Sequence, residues 1–244
     1  MLTLGKFEDI KHAHQYSLCN NELEHVSSEK DLGVTIDEEL KFEEHIARKI
    51  QVANGIVGQI RRSFSFLDAE TFRRIFVAFV RPHLEYCQAV WSPHLRRNID
   101  ALENVQIRAT KLVDGLSNLD YPERLKRIDL PILAYRRRRG DMIEVFKHFK
   151  SYDRSTLSPS FKPRDRPSRQ HKLQLHQPPS KDGARGAQRN SFYHRVASTW
   201  NSLPKKVAEA ETIEGFKNAL DKLWENDPLK FNHLHARERD DYEE

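Results

Sequence analysis

The chain is 244 residues long, enough for one large domain or two small ones with a genuine core. Hydrophobic residues make up 38% and charged residues 32%, against about 45–50% and about 25% in ordinary globular domains, and the longest apolar run, Ile75 to Val80, falls far short of the roughly 20 residues a spanning helix needs. Two cysteines, Cys19 and Cys87, rule out a disulfide scaffold and a four-cysteine zinc site, and the opening residues hold no apolar stretch of signal-peptide length. The expectation is a soluble intracellular protein with no membrane partner, nucleus and cytoplasm being equally open.

The net charge of +5 conceals a gradient. Residues 1–40 carry −6, 41–150 carry +8, 154–190 carry +7 and 191–244 carry −3. A positive middle between negative ends attracts a polyanion, although solvated helix faces produce the same numbers.

In chain order, Gln15–Cys19 and Glu22–Val26 alternate apolar and polar residues around Asn20-Asn21, a two-residue hairpin turn candidate. A polar turn at Ser27-Ser28-Glu29 precedes a third strand-like run, Leu32-Gly33-Val34-Thr35-Ile36. Residues 1–40 thus predict a small antiparallel β part, the margin of a sheet. From residue 42 the period turns helical: Ile46, Ile50, Ala53, Val57, Ile60 and Phe64 form one apolar stripe. Asp68 is placed to cap a second helix whose Phe72, Ile75, Phe76 and Phe79 fall at i, i+3, i+4 and i+7. Pro82 should kink or break it, before a dense apolar segment of Leu84, Tyr86, Val90 and Trp91 in which Cys87 reads as a buried small hydrophobe.

Ile99, Leu102, Val105, Ala109 and Leu112 mark a third helix ending near Gly115. Asp120 with Glu123 resembles a capping box for a short turn, and a fourth helix runs from near Pro131 to about Lys150. Residues 154–190 hold five prolines, two glycines and scattered basic residues, and read as an extended or disordered basic linker. Helical pattern resumes with Phe192, Val196, Trp200 and Leu203, stops at Pro204, and returns behind a Thr212 cap with Phe216, Leu220, Leu223 and Trp224 until Asp227-Pro228. The expected organisation is mainly α with the small N-terminal β part: 1–40 β-rich, 41–153 a helical region, 154–190 a linker, 191–227 a C-terminal helical unit and 228–244 a charged tail.

Catalytic signatures are missing. The sequence has no Gly-rich phosphate loop, no Gly-Xaa-Ser-Xaa-Gly elbow and no His-Glu-Xaa-Xaa-His helix. His12/His14 and His233/His235 lack partners at ligand spacing and read as surface loop histidines, and Asp240-Asp241 reads as a solvating tail. No residue calls for a catalytic role, a metal or a cofactor.

Several strings together carry a resemblance. Glu29-Lys30-Asp31-Leu32-Gly33-Val34-Thr35-Ile36-Asp37 with Phe42-Glu43-Glu44-His45-Ile46 comes first, followed by Val80-Arg81-Pro82-His83-Leu84-Glu85-Tyr86. Leu102 to Lys111, Leu125-Lys126-Arg127-Ile128-Asp129-Leu130-Pro131, Tyr135 to Met142 and Trp200-Asn201-Ser202-Leu203-Pro204 follow in order. They resemble the part after the catalytic palm in reverse transcriptases of jockey-type non-LTR (LINE) retrotransposons, over roughly residues 1–226. The resemblance implies a primer-grip-like strand at Leu32, Gly33 and Val34, then a helical thumb and a connection. It also implies partners that would lie upstream, namely the fingers, the palm with its metal-holding Tyr-Xaa-Asp-Asp motif and the endonuclease, so that the family's RNA-directed DNA polymerase activity does not carry over to these residues.

A thumb grips a template–primer duplex of RNA and DNA by its backbone, which calls for cations and close approach. Opposite the apolar stripe of the first helix lie Arg48, Gln51, Gly55, Gln59 and Arg62. Glycine at the centre lets a duplex approach, glutamine reaches minor-groove acceptors and arginine pairs with phosphate, a pattern similar to the Gln-Gly track on other polymerase thumbs. An ordinary solvated face with one weak helical position is the competing reading. Arg136 to Arg139 sweep about 300° of helix, so they cannot share a face. Arg139 lies on the stripe of Tyr135, Met142, Phe146 and Phe149 and should need an acidic partner, while Arg136, Arg137 and Arg138 are expected outward as nucleic-acid contacts. A nuclear-targeting role for the run is a weaker reading than packing. Trp200 and Trp224 are expected in the core. The functional expectation is a non-catalytic fragment that binds a duplex without regard to sequence; the alternative is a structural or protein-interaction remnant with an exposed apolar patch.

Overall fold

The structure, a computed structural model, describes residues 2, 4, 16–150, 164, 171–176 and 190–234. His12, His14, His235, Asp240-Asp241 and most of 154–190 lie outside the described residues. No helix among those described is long and apolar enough to cross a membrane.

Two antiparallel hairpins open the fold. In the first, β1 (Ser17–Leu18) pairs with β2 (Asn21–Glu22). Its turn is Cys19-Asn20, both at positive φ, one residue earlier than the two asparagines suggest. In the second, β3 (Ser28–Asp31) pairs with β4 (Val34–Asp37) through Leu32-Gly33 at φ 44° and 85°. The polar Ser28-Glu29 stretch is therefore strand, and Leu32-Gly33 is the turn between strands. Left-handed φ at both central positions matches the twist of a tight hairpin, and Gly33 supplies one of them without cost.

Ten helices follow among the described residues: α1 (Glu43–Ser63), α2 (Ala69–Ile75), α3 (Arg81–Glu85), α4 (Gln88–Trp91), α5 (Arg96–Thr110), α6 (Tyr121–Ile128), α7 (Leu133–Lys150), α8 (Phe192–Asn201), α9 (Lys205–Ala208) and α10 (Ile213–Leu223). The expected caps are in place: Asp68 accepts from the Glu70 and Thr71 amides, Asp120 from Glu123 and Thr212 from Gly215, each at 2.8–3.0 Å. The helix behind Asp120 runs to eight residues, longer than a turn.

Pro82 does not break its helix. Phe76–Val80 between α2 and α3 form a π-helical segment in which the Arg81 amide bonds Phe76 O, five residues back. The wider turn relieves the clash a proline ring makes with the carbonyl four residues before it. It also resets the phase. Phe72, Phe76, Val80 and Leu84 are fully buried at spacings of four, and Phe79, expected in the core, is 61% exposed. The chain breaks instead at Tyr86-Cys87, where Cys87 takes φ 57° and is exposed rather than buried. The Trp91 indole donates to Tyr86 O at 2.6 Å and closes this elbow.

One apolar core runs from Val34 to Leu229 and does not respect the five-part division read from the sequence. The C-terminal helices pack on α7: Phe146 stacks on Phe216 at 4.3 Å between centroids, and Phe149 on Trp200 at 5.4 Å. Trp200 is fully buried and Trp224 nearly so. Within the supposed linker, residues 171–176 dock on α8. Asn201 exchanges two hydrogen bonds with the Leu175 backbone, the Trp200 indole donates to Leu173 O, and His171 and Leu175 are buried. Part of the supposed tail is also structural. Leu229 is buried, Lys230 O accepts from the Ile132 amide at 3.1 Å, and His233, read as a surface histidine, pairs with Asp100 at 3.0 Å.

Candidate nucleic-acid interface

The solvent face of α1 is built by its own period. At about 100° per residue Arg48, Gln51, Gly55, Gln59 and Arg62 fall within an arc of about 80°, and at about 1.5 Å per residue the two arginines stand about 21 Å apart along the axis. All five are exposed, and the opposite face buries Ile46, Ala53 and Ile60. A Cβ placed on Gly55 would meet nothing within 4 Å, which removes the possibility that a neighbouring helix crosses there. At Gly58 a Cβ would lie 3.5 Å from Arg62 Nη1, so the Arg62 guanidinium folds back along its own helix. Neither Arg48 nor Arg62 forms an ion pair with a described residue. Glu43 and Glu44 in the first turn and Arg61 and Arg62 in the last also complement the helix dipole, a structural role that coexists with phosphate contact.

The β3–β4 hairpin is tied to the start of the same helix. The Thr35 amide donates to His45 Nδ1 at 3.1 Å, and the Tyr86 hydroxyl donates to Leu32 O at 3.0 Å. Val34 is buried, Leu32 is 84% exposed at the tip, and the Lys49 ammonium sits 5.6 Å above the Tyr86 ring. The hairpin tip is therefore joined to α1 through Tyr86 and Lys49, which lies on the flank of the helix about 100° round from Arg48. Neither residue stands out in the sequence, because their partnership rests on the elbow at Cys87. Burial, with Lys49 and Arg48 nearby, pushes His45 down to about 4, so it is neutral and can accept the Thr35 amide.

The outward expectation for Arg136, Arg137 and Arg138 is corrected. Arg136 forks onto Glu85 of α3, and Arg138 pairs with Asp227 at 2.7 Å while stacking 4.3 Å over the Trp224 ring. Arg137 is 4% exposed, inside the core. All lie on a helix surrounded by packed elements, so their charge is spent inside the protein. Arg139 pairs bidentately with Asp221 of α10.

A buried polar cluster escaped the apolar periodicity. Glu103, fully buried on α5, accepts from the Leu133 amide at 2.9 Å and from the Tyr121 hydroxyl, and so caps α7 from within. Burial raises its carboxyl above the usual range, partly offset by the Tyr121 bond. Gln106 bonds Tyr121 and Pro131 O, and Arg124 bonds Thr110, Leu119 O and Ile107 O. Glu103, Gln106 and Thr110 recur at three and four residues beside the Leu102, Val105 and Ala109 stripe, the one sign of a polar seam on the core side. These groups hold loops and helix ends together. Among the described residues no group of three or more His, Cys, Asp or Glu side chains gathers as a metal site.

Compared with protein-family models, curated proteins and solved structures, the chain gives no match in any of the three.

Proposed function

We propose that this chain is the thumb and connection part of a reverse transcriptase of the jockey-type non-LTR kind, and that it holds a template–primer duplex by its backbone while contributing no catalytic group. The observation that carries the proposal is the open glycine at the centre of α1. A helix pays about 1 kcal/mol for glycine over alanine, and here no packing neighbour requires it. An approaching backbone does. Arg48 and Arg62, which form no ion pair with a described residue, stand on either side of it, and Gln51 and Gln59 between them reach groove acceptors.

Titration of duplex binding against salt is the test. Replacing Arg48 and Arg62 together by Gln should weaken binding to unrelated duplexes alike and lower the log–log salt slope by about two, one per lost phosphate contact. No binding at low salt would sink the proposal. A second reading, a surface that docks on another protein, is favoured by exposed Leu32, Tyr86 and Val90 at the β3–β4 turn and the elbow. It predicts association of the chain that high salt does not weaken.

A further inference from the structure

Beside the α1 face lies a groove of about 340 Å³, at the small end of ligand-site volumes, between the C-terminal half of α1 and the π-helical segment with α3. Ile56 and Ile60 line it from α1, Phe79 from the π-helical segment, and Phe64 from the end of α1. The polar groups on its wall are Gln59, Ser63 and His83, and no carboxylate contributes. Phe79 and Phe64 are 61% and 40% exposed, which is unusual for two phenylalanines in one place. Phe79 is there because the π-helical turns rotate it out of the core stripe, and such turns concentrate at functional sites.

The geometry points to a site for an unpaired nucleobase, filled by a strand that leaves the duplex on α1. An aromatic face and a shallow apolar wall suit the flat π surface that every base presents, and stacking of this kind tolerates any sequence. Gln59 carries the continuity: it belongs both to the exposed Arg48–Arg62 face and to the wall of the groove, and its amide can donate to and accept from a base edge. The charge does not oppose it, since the wall has no acidic group to repel a phosphate. The assignment rests on the duplex reading above and adds a second, separable binding mode to it.

The experiment compares three probes on the full chain: a blunt duplex, the same duplex with a single-stranded overhang carrying the fluorescent base 2-aminopurine, and a free oligothymidylate. The overhang should tighten binding and quench 2-aminopurine, and Phe79→Ala should weaken overhang binding about fivefold or more while leaving the blunt duplex unchanged. Phe79→Leu, which keeps bulk and apolarity, should lose the quench too, and unaltered thermal melting of both variants shows that the fold is intact. Equal affinity for blunt and overhang duplexes overturns the base site and leaves the duplex reading standing. Binding of oligothymidylate and overhang without blunt duplex supports the base site and overturns the duplex reading, and binding of no probe overturns both. A Phe79→Ala change that alters only self-association assigns the groove to protein contact and overturns the base site.

Discussion

Gly55 separates two physical roles of one residue. With open space around its missing side chain, Gly55→Leu should raise thermal stability by up to about 1 kcal/mol through helix propensity alone. On the proposed face the same leucine would stand between helix and duplex, so binding should fall while stability rises. Opposite signs in a melting curve and a binding titration are the expected pair, and unchanged binding removes Gly55 from the interface. His45 gives a residue-scale prediction in pH. Its folded value, near 4, lies below the free value of 6.5, so the unfolded chain takes up a proton that the fold resists. Stability contributed by neutral His45 is complete above pH 6.5 and is lost as pH falls towards 4, by up to about 3 kcal/mol. His45→Gln keeps an acceptor for the Thr35 amide without titrating. Urea midpoints for the two proteins at pH 7 and pH 4.5 should diverge in the acid, with the parent falling further.

At the scale of elements, α7 is the strut on which both halves close. Asp141 of this helix, 3% exposed, takes a two-pronged hydrogen bond from Arg195 of α8, and burial still holds its carboxyl above the usual range. Asp141→Ala would leave Arg195 and buried Arg137 without that counter-charge and should cost about 3–5 kcal/mol in chemical denaturation. Asp221→Ala removes a partner that is 48% exposed and should cost less than about 1 kcal/mol. A similar cost for the two would mean that Asp141 is not the inward anchor. The α1 stripe was legible because 46, 50, 53, 57 and 60 keep a 3.6 period, although Phe64, expected to continue it, lies past the helix end and is 40% exposed, and the caps at Asp68 and Thr212 were legible because side-chain oxygens there have a local target. Phe79 was not legible. A π-helical stretch changes the phase by a fraction of a turn, and only Pro82 hinted at it. Glu103, Gln106 and Thr110 were missed for a related reason: a polar residue on a buried face reads as surface until its distant partners, Leu133 and Tyr121, come into view. The α1 face itself was readable as a pattern, whereas the link between the flank of α1 and the hairpin through Lys49, Tyr86 and Leu32 needed the elbow at Cys87.

At the scale of the molecule, a core continuous from Val34 to Leu229 makes the C-terminal helices part of the fold rather than an appendage. A chain ending at residue 153 would uncover Tyr135 and Phe146 of α7, which now pack on Trp224 and Phe216. That truncated protein should lose the sharp cooperative melting of the full chain and bind a hydrophobic dye, as expanded states with exposed apolar surface do. A sharp melt for the fragment would show that the two halves are independent after all. Charge obeys the same integration. Of the basic residues in 41–150, Arg138 and Arg139 are answered by Asp227 and Asp221 of the C-terminal part, while Arg136 is answered by Glu85 within the same stretch.

The four consecutive arginines of α7 take on another meaning in that light. A transport receptor or a trypsin-like protease reads basic residues from an extended strand, one side chain after another. Here Arg136 is clasped to Glu85, Arg137 is sealed inside, Arg138 is pressed between Asp227 and Trp224, and Arg139 is locked on Asp221. The densest basic word in the sequence is thus closed to readers for as long as the protein is folded, and its first cleavage marks the moment at which the chain comes apart.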